Sequence, residues 1–246
     1  MAYQLSLLDK APILQGETPT AALQRTLQLA QRAEAWGYHR FWLAEHHNTA
    51  QLASPSPELL IAWIIAQTRH IRVGSGGVML QHYSPYKVAE NFNLLASLGW
   101  QFVFAAHLNG DRALLEHALS TYTRLSHGQR ALVAVQVVVA DSPAEADLLV
   151  ASLRHYHVAV KGGPGVNVAS LEQAERYVRQ GGYRDYQIEP RTPSLLKGTA
   201  AQVHAQLDAL HHHFAIDEFV IDTPVTDPVA RQRSLELLAT HHLIAA

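Results

Sequence analysis

Residues 40–48 read Arg40-Phe41-Trp42-Leu43-Ala44-Glu45-His46-His47-Asn48. The stretch opens as a short apolar run and closes on four consecutive polar groups: an acid, two imidazoles and an amide. The apolar half suits a buried strand. A strand would send Glu45 and His47 to one side and His46 and Asn48 to the other. In a parallel α/β architecture the segments beyond strand C-termini line the ligand crevice, and these four residues stand in that position. A solvated loop is the other reading, in a chain with 16 histidines.

The flanking sequence alternates in type. Toward the N-terminus, residues 5–8 form an apolar strand closed by Asp9. Leu23, Leu27, Ala30, Ala33 and Trp36 then recur at helical spacing, with Thr18 or Thr20 as cap and Gly37 as stop. On the other side, Ser54-Pro55-Ser56-Pro57 breaks the chain, and Pro57 suits the first turn of a helix over residues 57–68. Residues 71–75 are a third strand running into Gly76-Gly77, and a helix over 85–98 follows His82-Tyr83-Ser84-Pro85. This strict β-α-β-α-β-α order predicts a parallel sheet or barrel.

Further strands are expected at 101–106, at 132–140, the most apolar run of the chain, and at 218–221. Helices are expected at 111–125, from Ser142 onward with Glu145 at the capping-box position, and at 170–181, 199–210 and 228–241. Gly162-Gly163-Pro164-Gly165 reads as a loop. Six strands and no internal repeat describe a single α/β domain spanning residues 1–246.

Composition narrows the function. Of 246 residues, 48% are hydrophobic and 16% charged, enough for a sizeable core. The net charge of −2 and scattered Lys and Arg argue against nucleic acid. With no cysteine, disulfides, thiolate catalysis and Cys-based metal sites are excluded. No apolar run reaches transmembrane length, and residues 1–10 lack the pattern of a signal peptide, so a cytoplasmic location is expected.

Gly74-Ser75-Gly76-Gly77-Val78-Met79 at a strand end suits a phosphate cradle, the close approach of a flat ring, or simply a tight turn. It lacks the spacing of a dinucleotide fingerprint and the Lys-Ser/Thr of a P-loop. A metal could draw on Asp9, His46, His82 or His107, but adjacent strand residues point apart and the helical His-x-x-x-His spacing is absent, so no metal is assigned. His211-His212-His213 and His241-His242 are read as solvated surface near helix C-termini. No Gly-x-Ser-x-Gly elbow is present. Lys161 and Lys197 lie beside loops, unlike a desolvated Schiff-base lysine.

Together these residues resemble the bacterial luciferase-like flavin monooxygenases, in particular the short luciferase-like oxidoreductases. The resemblance runs through 5–9, through Ala33 to Trp42, and through Ala44-Glu45-His46-His47-Asn48. It continues through Ile71 to Leu80, through His82-Tyr83-Ser84-Pro85, and later through Phe102 to His107 and Lys197-Gly198-Thr199. It implies a TIM-barrel-derived α/β fold with FMN, or in some members a deazaflavin, at the C-terminal face. By the same resemblance, the reduced flavin comes from a partner flavin reductase and reacts with O₂ to oxygenate a small organic substrate.

On that resemblance the catalytic candidates are His46 and Glu45. Gly76, Gly77 and Val78 match a strand-end bulge, often with a non-proline cis peptide, against which the flavin ring rests. Met79 and His107 are further cofactor contacts. His47, Asn48, His82 and Tyr83 suit substrate-side or supporting contacts, as does Glu45. The helices at 57–68 and 85–98 are apolar around much of their circumference, with Trp63, Ile64, Ile65, Phe92 and Leu95, and a homodimer through them is expected, as the resemblance also implies.

The chain also departs from the pattern. Asn91-Phe92-Asn93-Leu94-Leu95-Ala96-Ser97-Leu98 runs directly into residues 101–104, so the family's fourth and fifth strands, with a phosphate-binding loop, have no counterpart. Arg112 or Lys197 could substitute at the phosphate, and weak FMN binding is expected. Two alternatives follow: a non-catalytic flavin-binding protein derived from the family, and a TIM-barrel metal hydrolase built on Asp9, His46 and His107.

Overall fold

β1 (Gln4–Asp9) is buried from Leu5 onward and β2 (Arg40–Leu43) from Phe41 onward. Such continuous burial belongs to parallel strands covered on both faces. In the computed structural model, which describes residues 3–79, 82–97, 105–107, 116, 120, 132–162, 165–168, 170–191 and 194–244, β1 is central. It pairs in parallel with β2 on one side and with β10 (Glu218–Asp222) on the other. β3 (Arg72–Ser75), β4 (Ala105–His107) and β5 (Leu132–Val139) complete the order β3-β2-β1-β10-β5-β4. A short β9 (Leu196–Gly198) pairs with Val137–Val139 of β5. Among the described residues the sheet stays open, with β3 and β4 at its ends, as expected of a barrel short of strands.

The pleat separates two faces. Leu5, Leu7, Phe41, Leu43, Val73, Val133, Val135, Phe219 and Ile221 form one cluster with the helices that cover the sheet. These helices include α1 (Pro19–Ala35), α2 (Pro57–Ile65), α3 (Pro85–Ser97), α6 (Ala200–Phe214) and α7 (Pro228–Ile244). Thr18 caps α1 by accepting the N–H of Ala21, and Gly37 ends its turn at φ +77°.

The alternate residues face the barrel interior in layers. The lowest is polar: Ser6 donates to Glu218 at 2.5 Å, and Arg40 lies 3.6 Å from the same carboxylate. Burial raises the pKa of Glu218. Above it Leu8, Trp42, Ala134 and Val220 form an apolar layer. The next residues of the same parity, Lys10, Gln136 and Asp222, form a polar layer at the mouth, where Lys10 and Gln136 both reach Asp222.

All six expected strands lie in this sheet, although Gln101–Phe104 of the fourth fall outside the described residues. So does the helix expected at 111–125, apart from residues 116 and 120. Sequence reading missed β9 and a separate antiparallel unit. That unit is β6 (His155–Val160) flanked by β7 (Val166–Val168) and β8 (Tyr186–Arg191), with α5 (Leu171–Gly181) on one face. Val158, Val160, Ala174 and Val178 form its small core. It is inserted between α4 (Pro143–Leu149) and β9. The capping expected at Ser142 is present, its hydroxyl accepting the Glu145 N–H.

His241 and His242 are not solvated surface. Their rings stack on the buried His204, at 4.9 Å and 5.5 Å between centroids; His204 Nε2 donates to the Leu238 carbonyl at 2.9 Å, and Nδ1 accepts from the Tyr3 hydroxyl at 2.9 Å. His211 is also half-buried, its Nδ1 held by the Ile216 carbonyl at 2.7 Å, whereas His212 and His213 are exposed. Among the described residues no helix is long and apolar enough to cross a membrane.

Candidate active site

β2 ends at Leu43, and residues 44–48 continue it as an ordered turn. The Ala44 N–H donates to the Asp9 carbonyl at 3.0 Å, and the His46 N–H to the Ser54 carbonyl at 2.9 Å. Buried Ser54 returns its hydroxyl to the Ala44 carbonyl at 2.7 Å. Asn48 turns the chain at φ +51°, a left-handed conformation that asparagine tolerates better than most residues. Alternation therefore persists past the strand, and it divides the polar stretch into two clusters.

Glu45 and His47 face β3 and the segment after it. Glu45 is 7% exposed and acts as a hub. Its carboxylate accepts from the Met79 N–H at 2.9 Å and from the Tyr83 hydroxyl at 2.8 Å, and it meets His47 Nε2 at 2.5 Å. Burial pulls the Glu45 pKa up, but the three hydrogen bonds outweigh it and hold the carboxyl below its usual range. The bond to Glu45 in turn pushes the Tyr83 phenol up to about 12. His82 packs on His47 at 4.8 Å between ring centroids. An ionised, fully satisfied carboxylate of this kind positions its neighbours and is poorly suited to exchanging protons.

His46 has the opposite parity and shares the barrel mouth with Lys10 and Asp222. It is half-buried. Burial and the Lys10 charge lower its pKa, with Asp222 and Glu45 pulling the other way. The imidazole is thereby kept neutral at the mouth, with one ring nitrogen a donor and the other an acceptor.

The glycine turn follows β3, the neighbour of β2. Gly76 donates to the Leu43 carbonyl at 2.8 Å, and a Cβ at this position would sit 3.0 Å from Leu8 Cδ1. Among the described residues, a Cβ on Gly77 would meet nothing within 4 Å, so the turn is open there. Ser75 donates to the Gly77 carbonyl at 2.5 Å and fixes the turn. Val78 is half-buried beside it. Among the described residues every peptide bond is trans, so the cis peptide expected from the resemblance is not present at Gly76, Gly77 or Val78.

Glu45, His47, Met79, His82 and Tyr83 thus form one cluster, while His46 stands apart from it on the mouth side. Asn48 is exposed and serves the turn. His107 ends β4, with its backbone paired to Ala134. Asp9, required by the metal alternative, is fully buried and engaged: Arg231 reaches it at 2.9 Å and Thr26 donates at 2.6 Å. Lys197 pairs with Asp147 at 2.6 Å on the surface, and Arg112 lies outside the described residues. Sequence reading missed Lys10, Gln136 and Asp222. Their signal was parity, since each continues the inward-facing series of its strand.

Comparison with known proteins decides the lineage. The family model for luciferase-like monooxygenases matches residues 5–100. The N-acetyl-S-alkylcysteine monooxygenase of Bacillus subtilis is 32% identical over 331 aligned positions, covering 98% of this chain and 99% of that protein. The chain belongs to the luciferase-like monooxygenase family. Its fold agrees: the structure of apo-MsnO8 superposes with a TM-score of 0.68 at 23% identity, covering 98% of both chains. The oxygenating constituent of 3,6-diketocamphane monooxygenase from Pseudomonas putida, solved with FMN, gives 0.64 at 14% identity over 97% of both. The 331 aligned positions exceed this luciferase-like chain's 246 residues, so at least 85 positions of the Bacillus relative have no counterpart in it.

Proposed function

We propose that this chain is a reduced-FMN-dependent monooxygenase acting on a small thioether, with His46 as its acid–base residue. The observation that carries this reading is the mouth itself. A half-buried imidazole of lowered pKa follows β2 at the mouth, and the neighbouring strand β3 runs into the glycine turn, in a chain 32% identical to an N-acetyl-S-alkylcysteine monooxygenase. The residues present fit the ring of a flavin: Gly76, Gly77 and Val78 would hold its face, with Met79 kept in place by Glu45. The flavin when bound supplies two electrons to O₂, so that one oxygen atom reaches the substrate and the other leaves as water.

The protein's own residues do the rest. His46 holds or delivers a proton at Nδ1 or Nε2. Glu45, with His47 beside it, holds Met79 and Tyr83 in place. Apolar Leu8 and Trp42 close the barrel below and keep water out. We place the reaction in the cytoplasm, with a flavin reductase as partner.

The test is a titration of the purified protein with FMN followed by absorbance, then turnover with NADH and a reductase. Shifted flavin bands with micromolar or weaker affinity, and turnover, are expected. Weak binding follows from Lys197 being engaged by Asp147 and from the missing phosphate loop. Binding without turnover would favour the non-catalytic flavin protein. Binding of a deazaflavin but not FMN would reassign the cofactor.

A further inference from the structure

Lys10 and Asp222 are brought together from positions 212 residues apart, at the C-terminal ends of neighbouring strands β1 and β10. Their Nζ–Oδ2 distance is 2.6 Å. The two partners are unequally presented: the Lys10 side chain is 37% exposed and that of Asp222 only 10%. Gln136 donates to the same Oδ2 at 3.2 Å, so the carboxylate is met twice while the ammonium keeps further N–H donors. Among the described residues Asp222 is the one side chain that Lys10 pairs with. A ligand entering the mouth therefore meets the cation first.

We propose that the Lys10 ammonium, held in place by Asp222, binds the carboxylate of an acidic substrate at the barrel mouth. Two imidazoles border this position. His46 and His155 both feel the Lys10 and Asp222 charges, and burial keeps both below their usual pKa, so each offers a neutral donor or acceptor without adding charge. A cationic substrate is disfavoured, because Asp222 is the less accessible partner and already accepts two hydrogen bonds.

The proposal rests on the monooxygenase reading only for the scaffold of its probe, N-acetyl-S-methylcysteine, which is compared with its carboxamide by calorimetric titration. The wild-type chain is expected to bind the acid about ten- to a hundredfold more tightly than the amide, the value of one charge-assisted contact. Lys10→Met should erase the difference and Lys10→Arg should keep it. Asp222→Asn, which frees the ammonium, should tighten the acid and leave the amide unchanged. Circular dichroism reports folding. If Lys10→Met does not fold, the Lys10→Arg and Asp222→Asn results decide. Equal binding of acid and amide, binding of neither, an acid preference that survives Lys10→Met, or an acid/amide ratio that Asp222→Asn leaves unchanged each overturns the proposal. Acid preference without flavin-dependent turnover contradicts the monooxygenase reading alone; turnover without acid preference contradicts this one alone.

Discussion

Arg231 and Asp9 lie 222 positions apart and meet as a buried ion pair, Nη2 to Oδ1 at 2.9 Å. One comes from the last helix and the other from the end of the first strand, so the pair ties the two ends of the described chain across one face of the sheet. It also assigns Asp9 a structural task, and the metal-hydrolase alternative loses its carboxylate.

Removing one member of such a pair leaves a buried charge without its partner. Arg231→Met is therefore expected to lower stability by about 3–5 kcal/mol, read from the urea midpoint. Flavin-dependent activity per folded molecule should be unchanged. An unaltered midpoint would show that the pair contributes nothing net.

The two glycines of the 76–77 turn should respond differently. Gly77→Val places its side chain in open space, so folding should be retained and FMN binding lost by tenfold or more, on the order of one ring contact face. Gly76→Val drives a Cβ against Leu8 and the Leu43 carbonyl and should cost stability by about 1–3 kcal/mol. Normal FMN binding by Gly77→Val would mean that the ring rests elsewhere.

Acid should loosen the closed end of the barrel. Burial lowers the pKa of His204, while His242 falls to about 4 through burial and the neighbouring His204. His39 also falls to about 4, through burial and the charges of Arg40 and Arg72. In the unfolded chain these groups bind protons near their ordinary value of 6.5, well before the folded ones do. The unfolded state thus binds more protons between pH 6.5 and 4, and stability falls as pH drops through that window. After discounting for partial exposure, a loss of about 1–2 kcal/mol is expected, with a flat profile above pH 7. His242→Phe should flatten the slope. A urea midpoint insensitive to pH in this window would contradict the account.

A homodimer through α2 and α3 remains our proposal, but Ile64 and Leu95 are buried in the subunit's own core, with Trp63 and Ile65 packed against it, so other residues of these helices must carry it. Leu59, Tyr86 and Leu94 on these helices are 69%, 74% and 66% exposed, an apolar surface that a lone subunit would leave in water. Light scattering at micromolar concentration should report a dimer, and Leu59→Glu with Leu94→Glu a monomer. A monomeric wild type would rule the proposal out.

Much of this architecture was legible in the chain because its cues are local. The apolar run at 41–44 and its polar extension, the helical spacing from Leu23 to Trp36, and Pro57 at a helix start each act within a few residues. The separation of His46 from Glu45 and His47 followed from the pleat alone. What escaped depends on distant partners. His155-Tyr156-His157 at the start of β6 and Glu189-Pro190-Arg191 at the end of β8 look unlike strands, and only their pairing with each other makes them so. His241 and His242 were misread because their partners, His204 and Tyr3, lie far away in sequence. Lys10 and Asp222 are ordinary charged residues until β1 and β10 are placed side by side.

The central claim is that the mouth holding His46 performs a flavin-dependent monooxygenation. It is tested most directly by measuring O₂ uptake and thioether loss together, with reduced FMN and N-acetyl-S-methylcysteine, for the wild type and His46→Ala. The account predicts one-for-one consumption of O₂ and thioether by the wild type. His46→Ala, with unchanged thermal unfolding, should fall by about a hundredfold or more, as expected on loss of an acid–base residue. Oxygen uptake without loss of thioether, or a His46→Ala protein that turns over as fast as the wild type, would contradict it.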